Sequence, residues 1–154
     1  MQLNNECFLK VKKDYLKFLN KNKIFNKSKA TKLKSLKKVY IPISFWIEEK
    51  CKKKGKPLIL GFSGGQGTGK TTVTKILEII LKKFFKRKTC VISIDDFYKT
   101  LKDRNKMSYN IHPLFKTRGV PGTHDINLLK KFLNLAKKKN FRKIKLPKFG
   151  KAED

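Results

Sequence analysis

The sequence predicts an α/β fold, a three-layer α/β/α arrangement behind an N-terminal helical extension, and three observations carry that expectation. A short apolar run, Pro57 to Phe62, leads into a glycine-rich turn. After the turn, Val73, Ile76, Leu77, Ile80, Leu81 and Phe84 recur at helical spacing. Cys90-Val91-Ile92-Ser93-Ile94 is then a continuous apolar run, as expected of a parallel strand covered on both faces. Strand, helix and strand in that order make a right-handed βαβ unit. The expected organisation is a helical extension over 1–55 and a phosphate-binding domain over 56–154.

The elements follow in chain order. Phe8, Val11, Tyr15, Leu16, Phe18 and Leu19 share one broad helical face, with Asn4 or Asn5 as a cap and Glu6 in the first turn. A packing helix is the main reading, a membrane-surface helix the alternative. Residues 20–38 are lysine-rich and poorly periodic, which predicts a loop or a weak solvated helix. Pro42 opens a second helix, with Ile43, Trp46, Ile47 and Cys51 on its inner face and Gly55 closing it. After the βαβ unit, 99–124 reads as a long polar connection, a type that is usually functional or mobile. Asp125 caps a helix carrying Ile126, Leu129, Phe132, Leu133 and Ala136, and Ile144, Leu146 and Phe149 suggest a further strand or extended segment.

Composition bounds the function. A chain of 154 residues with 39% apolar content can hold one domain and a core. The formal charge of +29 points first to nucleic acid or anionic membrane. Yet Arg87, Arg104, Arg118 and Arg142 are the only arginines, and the lysines spread over helix faces, linkers and tail alike. Base readers and phosphate clamps favour arginine forks and exposed aromatics, so a solvated lysine coat is the preferred reading. The net charge keeps a nucleic-acid partner open. Cys7, Cys51 and Cys90 form no C-x-x-C pair, which suggests neither a disulfide framework nor zinc and fits a reducing cytoplasm. No signal-peptide core and no run of membrane-spanning length occurs, so no membrane partner is expected.

The chemistry concentrates in Gly64-Gly65-Gln66-Gly67-Thr68-Gly69-Lys70-Thr71-Thr72, which satisfies G-x-x-x-x-G-K-[ST]. Glycines let the backbone curl its N–H groups inward, and the helix N-terminus that follows adds its dipole, so phosphate oxygens find converging donors. Lys70 supplies a point charge for the β- and γ-phosphates, and Thr71 a hydroxyl for Mg²⁺. This makes the chain a binder of ATP-like nucleotides, with kinase chemistry as the expected use; a glycine turn without ligand is the bland alternative. Asp95 and Asp96 are expected at the end of the second strand, where ligands of open α/β sheets gather. One of these two carboxylates can accept the proton of a hydroxyl nucleophile while its neighbour holds water on Mg²⁺, against the alternative of turn or cap aspartates. His112 and His124 lack metal-ligand spacing. The loop Thr117-Arg118-Gly119-Val120-Pro121-Gly122-Thr123-His124-Asp125 can present Arg118, His124 and backbone N–H groups to a small anion such as a carboxylate, or serve only as a turn.

Three segments, 61–72, Ser93-Ile94-Asp95-Asp96-Phe97-Tyr98 and Arg118-Gly119-Val120-Pro121-Gly122-Thr123-His124-Asp125, resemble in content and order the plant, cyanobacterial and fungal type of D-glycerate 3-kinase. That family belongs to the phosphoribulokinase and uridine kinase group of P-loop kinases. Val39 to Ile47 looks like the family's helix before its first strand, and the resemblance covers about residues 36–150. It implies an incomplete P-loop nucleoside-triphosphate hydrolase fold, with 64–71 on ATP and Mg²⁺. It also implies Asp95 as base, and Arg118 with His124 near a small hydroxy-acid substrate. Family members run to about twice this length, and Gly150 stands where they tend to carry aspartate. The chain therefore reads as the N-terminal half of such a kinase, by truncation or by a split gene whose second chain completes the fold, and is expected to be inactive alone. Two alternatives stand beside it. One is a uridine, pantothenate or phosphoribulose kinase, the other a lysine-rich nucleic-acid-binding protein with a degenerate P-loop.

Overall fold

The computed structural model describes residues 2–24, 28–138, 145 and 147–150. Its regular structure is helical: α1 (Gln2–Lys21), α2 (Lys29–Ser35), a π turn (Leu36–Tyr40), α3 (Ile41–Lys54), α4 (Lys70–Lys83), α5 (Leu101–Asn110) and α6 (Ile126–Ala136), with 3₁₀ turns at Ile94–Phe97 and Pro113–Lys116. They fall into two compact units, residues 1–91 and 92–154.

The first unit is a helical bundle. Cys7, Val11, Tyr15 and Leu19 of α1, spaced four apart, are buried against Leu36, Tyr40 and Ile41 and against Ile76 and Ile80 of α4. A smaller cluster joins Ile47 of α3 to Leu77 and Leu81 of α4. The apolar periodicities of α1 and α4 thus predict the faces that pack, and the burial of each large aliphatic side chain contributes about 1.5–3 kcal/mol. Between them, part of the stretch expected to be loop or weak helix forms α2, capped by Ser28, whose hydroxyl accepts the Thr31 N–H at 3.2 Å.

The entry into α3 differs from expectation for a covalent reason. Pro42 lacks the N–H that an α-helix would direct at the carbonyl four residues back, and its ring crowds that carbonyl. The chain widens to a π turn, closed by the Ile41 N–H on the Leu36 carbonyl, and continues without a break. Ile47 faces inward as expected, joined by the polar Ser44, which donates to the Tyr40 carbonyl at 2.8 Å, and by Glu48, which accepts from Arg87. Ile43 and Trp46, expected inside, are exposed, with the Lys50 ammonium over the Trp46 ring. Gly55 closes α3 in the left-handed region, φ 58°, as the sequence indicates.

The expected α/β/α architecture is not found: among the described residues there is no strand and no sheet. Pro57 to Phe62 and Cys90 to Ser93 lie outside regular structure, with Ile59, Leu60, Phe62 and Val91 exposed. A strand exists only through pairing with a neighbour, and two short apolar runs provide no ladder by themselves, whereas a helix satisfies its backbone locally. Apolar continuity signalled burial, and nothing within either run specified a partner.

The second unit corrects another expectation. The supposed connection 99–124 contains α5, capped by Thr100, whose hydroxyl accepts the Asp103 N–H at 3.1 Å. Arg104, almost wholly buried, donates to the carbonyls of Lys99 at 3.3 Å and Lys116 at 2.6 Å, tying both ends of the segment together. Asp125 caps α6 as expected, accepting from Leu128 N–H at 2.9 Å, and Phe132 packs edge-on against Phe97 at 5.7 Å. Ile144 and Leu146 lie outside the described residues.

Candidate functional site

The glycine loop belongs to the first unit. Gly67 (φ 76°) and Gly69 (φ 82°) occupy left-handed backbone that other residues rarely adopt, while Gly64 and Gly65 do not. At Gly64 the constraint is space: a Cβ there would crowd the Thr68 hydroxyl oxygen at 3.0 Å. The Thr68 hydroxyl donates to the Gly65 carbonyl at 2.9 Å, and the Lys70 ammonium donates to the carbonyls of Gly64 and Gly65, each at 2.6 Å. The loop is exposed from 61 to 68.

Lys70 is also the first residue of α4, whose opening backbone bond runs from Val73 N–H to the Gly69 carbonyl at 2.9 Å. The N–H groups of Lys70, Thr71 and Thr72 therefore have no partner within the helix, and the positive end of the helix dipole adds to them. An exposed loop with a free helix N-terminus and an ammonium held on its own carbonyls is chemically suited to a polyanion.

The second unit brings three of the other predicted residues into one neighbourhood. Asp95 and Asp96 do not end a strand; they open the 3₁₀ turn Ile94–Phe97. Asp96 accepts the Ser93 N–H at 3.2 Å, and the Ser93 hydroxyl accepts the Asp95 N–H at 3.3 Å, so Asp96 spends one carboxylate oxygen on capping. Two backbone bonds, Asp125 N–H to the Phe97 carbonyl at 2.6 Å and Lys99 N–H to the Thr123 carbonyl at 2.9 Å, flank a bridge between Tyr98 and His124. The Tyr98 ring stacks on the imidazole at 4.1 Å, and its hydroxyl donates to Asp95 Oδ1 at 3.4 Å. Phe149 meets Tyr98 edge-on at 5.3 Å and carries the Arg118 guanidinium over its face at 5.5 Å.

Asp95, Arg118 and His124 are thus linked through Tyr98, known from the sequence only as part of a motif, and Phe149, expected only in an extended segment. Gly119 (φ 91°) and Gly122 (φ 93°) make the turns that return the loop to Tyr98. His124 Nε2 is buried and has no hydrogen-bond partner among the described residues. His112 is engaged elsewhere, accepting the Leu114 N–H at Nδ1, 3.2 Å. No group of three or more His, Cys, Asp or Glu side chains that could hold a metal occurs among the described residues. Nor is any described helix long and apolar enough to cross a membrane.

The chain is similar to several kinases. It is 34% identical over 124 residues to the uncharacterized kinase mug58 of Schizosaccharomyces pombe, covering 79% of this chain and 44% of that protein. With the probable ATP-dependent kinase TDA10 of Saccharomyces cerevisiae it shares 37% identity over 122 residues, 74% of this chain and 40% of the other. With the chloroplastic D-glycerate 3-kinase of Arabidopsis thaliana it shares 34% over 126 residues, 73% of this chain and 27% of the other. The chain thus spans less than half the length of each. These relatives bear out the resemblance that the motifs carry, and none of their names speaks for a nucleic-acid-binding protein. No family model and no solved structure matches the chain.

Proposed function

We propose that this chain provides the nucleotide-phosphate and acceptor-binding elements of an ATP-dependent kinase for a small hydroxy acid, D-glycerate being converted to 3-phosphoglycerate. The observation that carries the reading is the glycine loop, with two left-handed glycines leading into a 14-residue helix that begins at Lys70, in a chain similar to proteins named as kinases.

In this reading the backbone N–H groups of Gln66 to Thr72 receive phosphate oxygens, and the Lys70 ammonium exchanges its two carbonyls for the β- and γ-phosphates. Asp95 accepts the proton of the acceptor hydroxyl as that oxygen bonds the γ-phosphorus and the bond to ADP breaks. Arg118 and the unpartnered Nε2 of His124 bind the acceptor carboxylate. Thr71 and Asp96 are the residues that would hold Mg²⁺. They fit in kind, as a hydroxyl in the first turn of α4 and a carboxylate with one oxygen beyond its cap, for an ion that takes few protein ligands and relies on phosphate and water. When bound, the ion neutralises charge on the transferred group. A reducing cytoplasm is the setting this reading assigns to Cys7, Cys51 and Cys90, which are free thiols.

Calorimetry with magnesium and ATP tests the base of the proposal. Lys70→Ala removes most of the affinity and leaves the circular dichroism spectrum intact; unchanged affinity rejects the kinase reading. In a full-length version, Asp95→Asn lowers kcat by roughly 10²–10⁴-fold with little effect on ATP binding, and Arg118→Ala chiefly raises KM for glycerate. Much faster phosphorylation of uridine or pantothenate than of glycerate would replace the acceptor while keeping the kinase.

A further inference from the structure

We propose that Tyr98 is a positioning residue of the acceptor site, its ring fixing the His124 imidazole and its hydroxyl fixing the Asp95 carboxylate; this rests on the kinase reading above. Phe97 ends the 3₁₀ turn buried against Phe132, and the extended residue that follows it, Tyr98 (φ −68°, ψ 148°), meets His124 instead. There its ring lies 26° from parallel to the imidazole at 4.1 Å, which restrains rotation of His124, whose buried Nε2 has no hydrogen-bond partner among the described residues. The hydroxyl reaches Asp95 Oδ1 at 3.4 Å, a long bond of the kind that tightens when substrate arrives. The ring edge rests on Phe149, the platform under Arg118.

One side chain therefore touches the expected base, the expected acceptor-binding histidine and the support of the expected arginine. The backbone around it is equally committed, because the bridge between Tyr98 and His124 is closed by a hydrogen bond on each side. A purely structural aromatic at this point would need no hydroxyl, and a purely catalytic hydroxyl would need no stack. Tyr98 has both, and the two can be removed separately.

Tyr98→Phe keeps the stack and deletes the hydroxyl; Tyr98→Leu deletes both. The full chain contains two histidines, so the ring-proton resonances of His124 are assigned by one substitution, with His112 as internal control. Ring current from Tyr98 shifts the His124 protons upfield in the wild type and in Tyr98→Phe; in Tyr98→Leu they return toward unstacked values while those of His112 stay in place. Titrating D-glycerate against the same resonances reads acceptor binding without turnover, and Tyr98→Leu weakens it about tenfold whereas Tyr98→Phe does not, a difference of the size of one hydrogen bond to a charged group. In turnover of a full-length version, Tyr98→Phe lowers kcat about tenfold at unchanged KM for ATP, and adds nothing in an Asp95→Asn background.

His124 shifts or glycerate affinity indifferent to Tyr98→Leu would overturn the proposal, as would a Tyr98→Phe enzyme with full kcat. A wild type that binds no ATP and shifts no His124 resonance with glycerate fails the kinase reading itself, and the proposal with it, a result distinct from an active wild type indifferent to Tyr98.

Discussion

Glu48 and Arg87 show how single residues hold the first unit together. The carboxylate is buried on α3 and takes two bonds from the guanidinium just beyond α4, at 2.7 and 2.8 Å. The Arg87 hydrogen bonds hold the Glu48 carboxyl below its usual range against the opposing effect of burial. A carboxylate depressed in the folded state stabilises fully above its unfolded value and loses that contribution as pH falls through the folded one. Glu48→Gln is expected to cost about 1–2 kcal/mol near neutrality, discounted because Arg87 is partly solvated. The gap between variant and wild type in urea unfolding should close as pH drops below about 4. Thiol chemistry gives a second check. Burial pushes Cys7 up to about 11, so it should resist a thiol reagent that labels exposed Cys90 in the folded protein, and react only on unfolding.

At the scale of elements, local chemistry decided what could be read. Asp125 was legible as a cap because its carboxylate acts within three residues, and Asp125→Ala should lower stability by about 1 kcal/mol in thermal or urea unfolding. The faces of α1 and α4 were legible because their residues repeat every three or four positions and meet each other. The exposed side of α3 was misjudged because its inner face includes the polar Ser44 and Glu48, buried with partners at the Tyr40 carbonyl and Arg87, and apolar periodicity does not register them. Helix α5 was missed because its inner side is a buried arginine rather than an apolar stripe. The strands failed for the opposite reason, since their apolar runs carried no information about partners. Within the candidate site, Asp95, Arg118 and His124 were recognisable by residue type, whereas Tyr98 and Phe149 acquire meaning only when 98, 124 and 149 come together.

For the whole molecule, the excess of lysine is the dominant physical fact. Forty basic residues against eleven acidic ones repel one another in any compact state. Added sodium chloride should therefore raise the melting temperature by a few degrees, the shift that about 1 kcal/mol gives a chain of this size; a fall with salt would mean that specific ion pairs outweigh the repulsion. Binding to duplex DNA that collapses over the same salt range would mark a non-specific polycation, while magnesium-dependent nucleotide binding should persist. The same abundance of lysine turns trypsin into a map of local order, because almost every segment offers a cleavable bond and only backbone accessibility decides which is cut. Lys88 is exposed in an irregular stretch after α4, near the boundary of the two compact units, while Arg104 is buried and held at two carbonyls. Limited digestion should begin after Lys88 and spare Arg104 until unfolding, so that the first two fragments divide the chain between its glycine loop and its Asp95–Tyr98–His124 cluster.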